Sequence, residues 1–282
     1  MQPLISIVMP VYNGERYIAA ALQSLATQNF RGFELVILDS CSVDNTLSIV
    51  EEWRSRLPQL QVIREKDRGI YDAMNKGVAV AKGEWVYFMG CDDGFYDAFT
   101  LEQISKELLP NADLVYGDVV WMPQGDRESG GCVPADLVHR NINHQRIFYR
   151  KALFSKYGGY QLQYSIAADH ELNIRFFCNE TINKKYVSIT VARYHAGGFS
   201  ANKQDEVFWN NWKIIFKENF AQYLPKRVMY DKLGWYCRYQ LDRRRYSSAF
   251  PLFWDVLLHT KSLGFVQLSF KHFLQSLYTR SN

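Results

Sequence analysis

The chain has no glycine-rich phosphate loop. After its first apolar run it reads Pro10-Val11-Tyr12-Asn13-Gly14-Glu15, with one glycine where a dinucleotide-binding G-x-G-x-x-G needs three. No G-x-x-x-x-G-K-[ST] occurs either. Any phosphates it handles are therefore expected to be met by a metal ion rather than by a glycine cradle. Cysteine is sparse, and Cys41, Cys91, Cys132, Cys178 and Cys237 are scattered with no Cys-x-x-Cys pair. That excludes a zinc ribbon and a disulfide framework, and it fits a reducing cytoplasm. No basic stretch precedes the first apolar run, so no signal peptide is expected. No apolar run approaches the roughly 20 residues of a spanning helix. The expectation is a cytoplasmic protein, soluble or peripheral on the inner face of the membrane. Internal repeats and low-complexity tracts are absent.

Acidic residues run out near the C-terminus. From Tyr223 onward ten Lys and Arg face only Asp231, Asp242 and Asp255, a net charge of +7. The remaining 23 basic and 26 acidic residues leave the body at −3. Such asymmetry points to an anionic partner for the tail. An apolar content of 48% with 22% charged residues describes a globular chain.

Residues 5–12 are apolar and rich in β-branched side chains, as a strand buried on both faces should be. Pro10 marks where its ladder ends. Ile18, Ala21, Leu22 and Leu25 follow at helical spacing. Residues 33–38 form a second strand running into Asp39, and Asp44 is the expected N-cap of the next helix. Residues 60–64 are a third strand and 70–81 a helix. Residues 84–89 are a fourth strand that stops at Asp92-Asp93. This alternation predicts an α/β sheet, mostly parallel, with helices on both faces. Beyond Asp93 the pattern weakens. It reads as a helix over 101–109, a strand over 113–121, a polar hairpin or loop over 123–132 and an irregular region from 143 to 149. Helices over 151–157 and 167–177, a strand over 186–193 and a glycine-containing loop over 194–202 follow. Residues 1–204 are expected to be one catalytic domain and 205–282 a helical extension.

A parallel sheet brings Pro10 and Tyr12, Asp39, Asp67-Arg68 and Asp92-Asp93 to one edge. Each alone also suits an ordinary turn; together they point to a nucleotide-type site. Adjacent carboxylates repel, and a hard divalent cation such as Mg²⁺ resolves the repulsion. Asp169 opens a helix, as a cap or as a functional group. Glu171, two residues on, lies on a different helix face. His195, flanked by Gly197-Gly198, is expected in a movable metal-binding loop.

The chain resembles the family 2 glycosyltransferases with a GT-A fold. The resemblance rests on residues 5–13 (ISIVMPVYN), 38–46 (LDSCSVDNT), 72–77 (DAMNKG), 83–88 (GEWVYF) and Asp92-Asp93. It extends from Ile5 to about Ser200 and does not cover the tail. It implies inverting transfer from a nucleoside-diphosphate sugar with Mg²⁺ or Mn²⁺. Asp39, with Pro10 and Tyr12, would contact the donor base, and Asp67 and Arg68 would sit beside the base or diphosphate. Asp92 and Asp93 would serve ribose and metal, Asp169 would be the general base, and His195 would complete the metal site. Two positions depart from the family pattern. Gly90 stands where the common Asp-x-Asp has its first aspartate, so either Asp92 or Asp93 would hold the metal. Ala168 replaces the glutamate of a Glu-Asp pair, which leaves Glu171 a lesser candidate for the base. The resemblance also implies a lipid-linked saccharide acceptor in bacterial surface polysaccharide assembly.

Two other readings fit part of the pattern. A sugar nucleotidyltransferase shares nucleotide and metal but needs the missing glycine-rich loop. A non-catalytic nucleotide-sugar-binding module would bind the donor without turning it over. The basic tail carries Trp235, Phe250, Trp254 and Phe270 among other aromatics. It reads either as a helical extension packed on the body or as a surface resting on anionic lipid, with Arg243-Arg244-Arg245 on the headgroups. Nucleic acid is not an expected partner, because the body is acidic.

Overall fold

The computed structural model describes residues 2–57, 59–122, 124–195 and 204–278. The chain divides into two compact units, Met1–Gln204 and Asp205–Asn282. The first contains, in order, β1 (Ile5–Val11), α1 (Ile18–Ala26), β2 (Phe33–Asp39), α2 (Thr46–Trp53), β3 (Leu60–Arg64), α3 (Ile70–Val80) and β4 (Trp85–Phe88). Then come β5 (Gly94–Phe95), α4 (Thr100–Ser105), β6 (Leu114–Met122), β7 (Asp126–Glu128), β8 (Ile147–Arg150), α5 (Ala152–Tyr157), α6 (Ala168–Phe177) and β9 (Lys184–His195). These strands form one sheet in the order β3-β2-β1-β4-β8-β6-β9-β5, with β7 paired to β6.

The α/β expectation holds, with a qualification on strand direction. β3, β2, β1 and β4 are mutually parallel, as are β6 and β9. The pairs β4–β8, β8–β6, β6–β7 and β9–β5 are antiparallel. Parallel order thus stops where the strand–helix alternation weakens in the sequence. The irregular region expected to begin over 143–149 instead holds β8, which joins the two halves of the sheet. Four residues are too few to show a period, and the polar His144-Gln145-Arg146 before them hides the strand. β9 is longer than expected and runs through Tyr194 to His195. α4 is shorter than expected and ends at Ser105.

Helices cover both faces of the parallel half. Ile5, Ile7 and Met9 pack with Leu22 and Leu25 of α1 and Val50 of α2 in one buried cluster. On the opposite face α3 lies so close that a Cβ on Gly77 would fall 2.3 Å from Val8 and 3.0 Å from Leu38. Only glycine fits there. Pro10 is tolerated in a central strand for a local reason. The Val8 carbonyl accepts the Met89 N–H (3.1 Å), so the even residues of β1 aim their polar groups at β4. That ladder ends at Val8↔Phe88, and Pro10 would have had no partner there. The ladder with β2 continues three residues further, past Pro10 to Val11↔Asp39.

The second unit is helical: α7 (Glu206–Asn210), α8 (Trp212–Asn219), α9 (Lys226–Asp242), α10 (Tyr246–Thr260) and α11 (Leu263–Tyr278). Its centre is aromatic. Trp209 stacks on Tyr236 and lies against Trp212, which is fully buried.

Candidate active site

Three strand ends stand side by side, because Val11, Asp39 and Arg64 are register neighbours on β1, β2 and β3. Tyr12, the next residue, is largely exposed, whereas Pro10 is buried. The Asp39 carboxylate is wholly enclosed. Both its oxygens accept the Ser42 N–H (3.2 and 3.1 Å), and Arg64 Nε lies 3.5 Å away. Asp39 therefore shapes the loop that leads to α2, and Arg64, which the sequence reading passed over, lies against it. The N-cap of α2 is Asn45 rather than the expected Asp44, which sits one residue earlier and accepts the Thr46 N–H (3.0 Å) and the Thr46 hydroxyl.

Asp67 and Arg68 shape the entry to α3. Asp67 Oδ1 accepts the Gly69 N–H (2.9 Å), and the Arg68 N–H donates to Asp72 Oδ2 (3.0 Å). The Arg68 guanidinium is mostly exposed and 3.6 Å from Asp72. It remains available to a ligand at this edge.

Beyond β4 the turn at Gly90 sorts the two aspartates. The Gly90 N–H donates to Asp93 Oδ2 (2.8 Å), and so does Gln145 Nε2 (2.8 Å). Asp93 is buried, while Asp92 is exposed and makes no hydrogen bond or ion pair among the described residues. A Cβ on Gly90 would lie 2.7 Å from Asp92 Oδ1 and 2.9 Å from Asp93 Oδ2. A side chain at position 90 would therefore crowd the two carboxylates that this turn gathers. Burial, and then the charge of Asp92, push the Asp93 carboxyl above its ordinary pKa, against the opposing Gln145 and Gly90 hydrogen bonds.

Asp169 lies in the first turn of α6 and is largely buried. Its Oδ1 accepts the Tyr71 hydroxyl (3.1 Å), its Oδ2 accepts Asn141 Nδ2 (2.8 Å), and His144 Nδ1 lies 3.7 Å from Oδ2. Burial alone would raise its pKa. The close approach and charge of His144, with the charge of His170 and the Tyr71 hydroxyl, outweigh burial and hold it below the ordinary value. Asp169 is therefore ionised at neutral pH. Glu171 is engaged elsewhere, bound by Arg175 through Nε (2.9 Å) and Nη2 (2.9 Å) and contacted by Gln161 Nε2 (3.2 Å).

Two consecutive residues reach both groups of carboxylates: Gln145 contacts Asp93 and His144 lies 3.7 Å from Asp169. Burial first, then the charges of Asp93, Asp92 and Asp169, raise the pKa of the Tyr194 phenol at the end of β9. Tyr71, Asn141, His144, Gln145 and Tyr194 are members that the sequence reading missed. The one available signal was the run of amides and imidazole in Asn141-Ile142-Asn143-His144-Gln145. The backbone of His195 ends β9 opposite Met122, so it is not in a loop; its side chain lies outside the described residues.

Among the described residues no three His, Cys, Asp or Glu side chains are grouped to hold a metal. A Mg²⁺-like ion needs less, because it keeps several waters and takes one or two carboxylates plus substrate phosphates. An exposed carboxylate with no partner among the described residues, beside a buried one whose charge is disfavoured, fits such an ion.

Residues 6–162 match the model of the family described as Glycosyl transferase family 2. A PGL/p-HBAD biosynthesis glycosyltransferase of Mycobacterium bovis is 41% identical over 212 residues, covering 73% of this chain and 82% of that one. Among solved structures, Staphylococcus aureus TarS 1–349 in complex with UDP-GlcNAc superposes with a TM-score of 0.66 at 22% identity, over 82% of this chain and 71% of that one. The mannosyltransferase PcManGT of Pyrobaculum calidifontis, in complex with GDP-Man and Mn²⁺, gives 0.58 at 16% identity, over 99% and 82%. With its α/β sheet, its carboxylates at the carboxyl edge and these likenesses, the chain belongs to glycosyltransferase family 2 and has the GT-A fold.

Proposed function

We propose that the chain is an inverting glycosyltransferase that uses a nucleoside-diphosphate sugar and a divalent cation, and that its first unit carries the catalysis. The observation that carries this reading is Asp169, ionised and held by three side chains near the Asp92-Asp93 turn. In a single displacement the acceptor O–H gives its proton to Asp169. The acceptor oxygen bonds to the anomeric carbon from the face opposite the diphosphate, and the bond from that carbon to the phosphate oxygen breaks. Attack from one face and departure from the other invert the configuration.

Asp92 is the residue proposed to hold Mg²⁺ or Mn²⁺, with Asp93 behind it. The bound ion would supply charge neutralisation at the leaving diphosphate. Asp67, Arg68, Tyr12 and Pro10 are assigned to the donor side, with Asp39 shaping the loop there. His195 retains its proposed place near the metal. Family membership sets aside the nucleotidyltransferase reading. The nucleotide-sugar donor is supported by the UDP-GlcNAc and GDP-Man complexes of the structural neighbours.

The acceptor is proposed to be a lipid-linked saccharide of surface polysaccharide assembly, and the second unit to rest on the inner membrane face. α11 supports this. It buries Ser269 and Ser276 and exposes Leu268, Phe270, Leu274 and Leu277, the reverse of a water-facing helix.

Transfer assays with a panel of UDP- and GDP-sugars, with and without Mn²⁺, test the proposal. Asp169→Asn is expected to keep Mn²⁺-dependent nucleotide binding and to lose about 10²–10⁴-fold in transfer. Transfer within tenfold of the parent would refute the base. Donor binding without any turnover would leave a binding module instead.

A further inference from the structure

We propose that His144 and Gln145 are positioning residues that fix the metal-side carboxylate and the base relative to each other. The inference rests on the roles given above to Asp92-Asp93 and Asp169. The two residues are consecutive, yet they serve different carboxylates. Gln145 Nε2 donates to Asp93 Oδ2 (2.8 Å), while His144 Nδ1 faces Asp169 Oδ2 at 3.7 Å. Both lie on a three-residue 3-10 turn, His144–Arg146, directly before β8.

That turn is anchored on every side. Asn143 Oδ1 caps it by accepting the Gln145 N–H (3.1 Å). The Gln145 carbonyl accepts the Tyr87 hydroxyl (3.0 Å) from β4. Arg146, almost completely buried, donates to the Gly117 carbonyl (2.6 Å), the Gly130 carbonyl (2.9 Å) and Glu128 (2.7 Å). Asn141, just upstream, donates to Asp169 Oδ2 and accepts Asn173 Nδ2 (2.9 Å) from α6. The Asp92-Asp93 turn follows β4 and Asp169 rides on α6; the segment from Asn141 to Arg146 ties one to the other. A rigid tie matters because metal-bound diphosphate and acceptor proton must be held at a fixed separation for in-line displacement. Supporting residues of this kind typically contribute about 10–100-fold in metal affinity or activity.

The test separates the two ends of the tie. In calorimetry with UDP or GDP and Mn²⁺, Gln145→Met is expected to raise the half-saturating Mn²⁺ concentration about tenfold or more. His144→Ala should leave that value within about twofold. In donor turnover at saturating Mn²⁺, His144→Ala is expected to lower kcat about 10–100-fold with donor KM little changed, and His144→Asn to recover part of the loss. Thermal unfolding of each variant reports the folded fraction. Losses that track unfolding, or that move both readouts equally in both variants, overturn the proposal. Two controls separate it from its premise. Asp169→Asn that turns over donor like the parent refutes the base and with it the role of His144. Asp92→Asn and Asp93→Asn that both leave Mn²⁺ dependence unchanged refute the metal assignment and the role of Gln145.

Discussion

Burial and the adjacent Asp92 raise the Asp93 pKa, so the folded chain binds that proton more tightly than the unfolded chain does. Without metal, the resulting cost is absent below the ordinary carboxylate value of about 3.9 and fully present above the folded pKa. Asp169 has the opposite sign. Its pKa is depressed, so its contribution is present above about 3.9 and is lost as pH falls through the folded value. In chelator, Asp93→Asn should therefore raise Tm at pH 7, with the gain fading toward pH 4. Asp169→Asn should lower Tm at pH 7, with the loss closing toward pH 3. Scanning calorimetry across pH checks both, and shifts of the same sign would contradict the electrostatics described here. At this scale the sequence showed the acids but not their holders. Asp92, Asp93 and Asp169 stand at element ends, where period and motif make them visible. Tyr71, Asn141, His144 and Gln145 reach the site only through tertiary placement, which leaves no local pattern.

Among elements, β8 and the turn before it decide how the two halves of the sheet meet. Arg146 is the fastener, joining the β6–β7 hairpin to that turn with its charge buried against Glu128 and Asp118. Removing one partner of a buried pair leaves the other charge stranded, at a cost of about 3–5 kcal/mol. Arg146→Met is therefore expected to lower the urea midpoint substantially with an unchanged slope. Arg54→Ala, which breaks the exposed pair with Glu51, should barely move it. Equal effects of the two would mean that Arg146 is no fastener. β1 to β4 and their helices were legible because strand and helix periods alternate there with short links. β8 was not, since its pairing partners come from 60 and 30 residues or so upstream and its four residues carry no period of their own. The helical unit was legible as helices, but which of its aromatics face inward was not. Tyr236 and Phe265 are buried, whereas Trp235, Phe250, Trp254 and Phe270 are exposed.

For the whole molecule, the exposed apolar residues of the second unit bear on the proposed docking to a membrane. Phe250, Trp254 and Leu258 stand one helical turn apart on α10, exposed by 47%, 60% and 70%. Leu263, exposed by 78%, begins α11, which also exposes Leu268, Phe270, Leu274 and Leu277 among Gln267, Lys271 and Gln275. Residues of this size on two successive helices are costly in water and suited to a lipid interface, with Lys261 and Lys271 exposed beside them. Among the described residues no helix is long and apolar enough to cross a membrane. The arginine cluster is less free than the sequence suggests, because Arg245 pairs with Glu206 and Arg243 stacks over Tyr239 at 4.7 Å. In the proposed membrane docking the apolar stripe, more than Arg243-Arg244-Arg245, would carry the larger share of binding, although each basic residue near an anionic surface still adds about 1 kcal/mol. In liposome co-sedimentation, Trp254→Ser with Phe270→Ser should release the protein from anionic vesicles at both low and high salt. Replacing Arg243, Arg244 and Arg245 by Ala should weaken binding chiefly at low salt, where charges are least screened. Membrane recovery unaffected by the two serine substitutions would rule out the stripe. A concentration-dependent dimer that those same substitutions dissolve would show that the face meets a second copy of the chain instead.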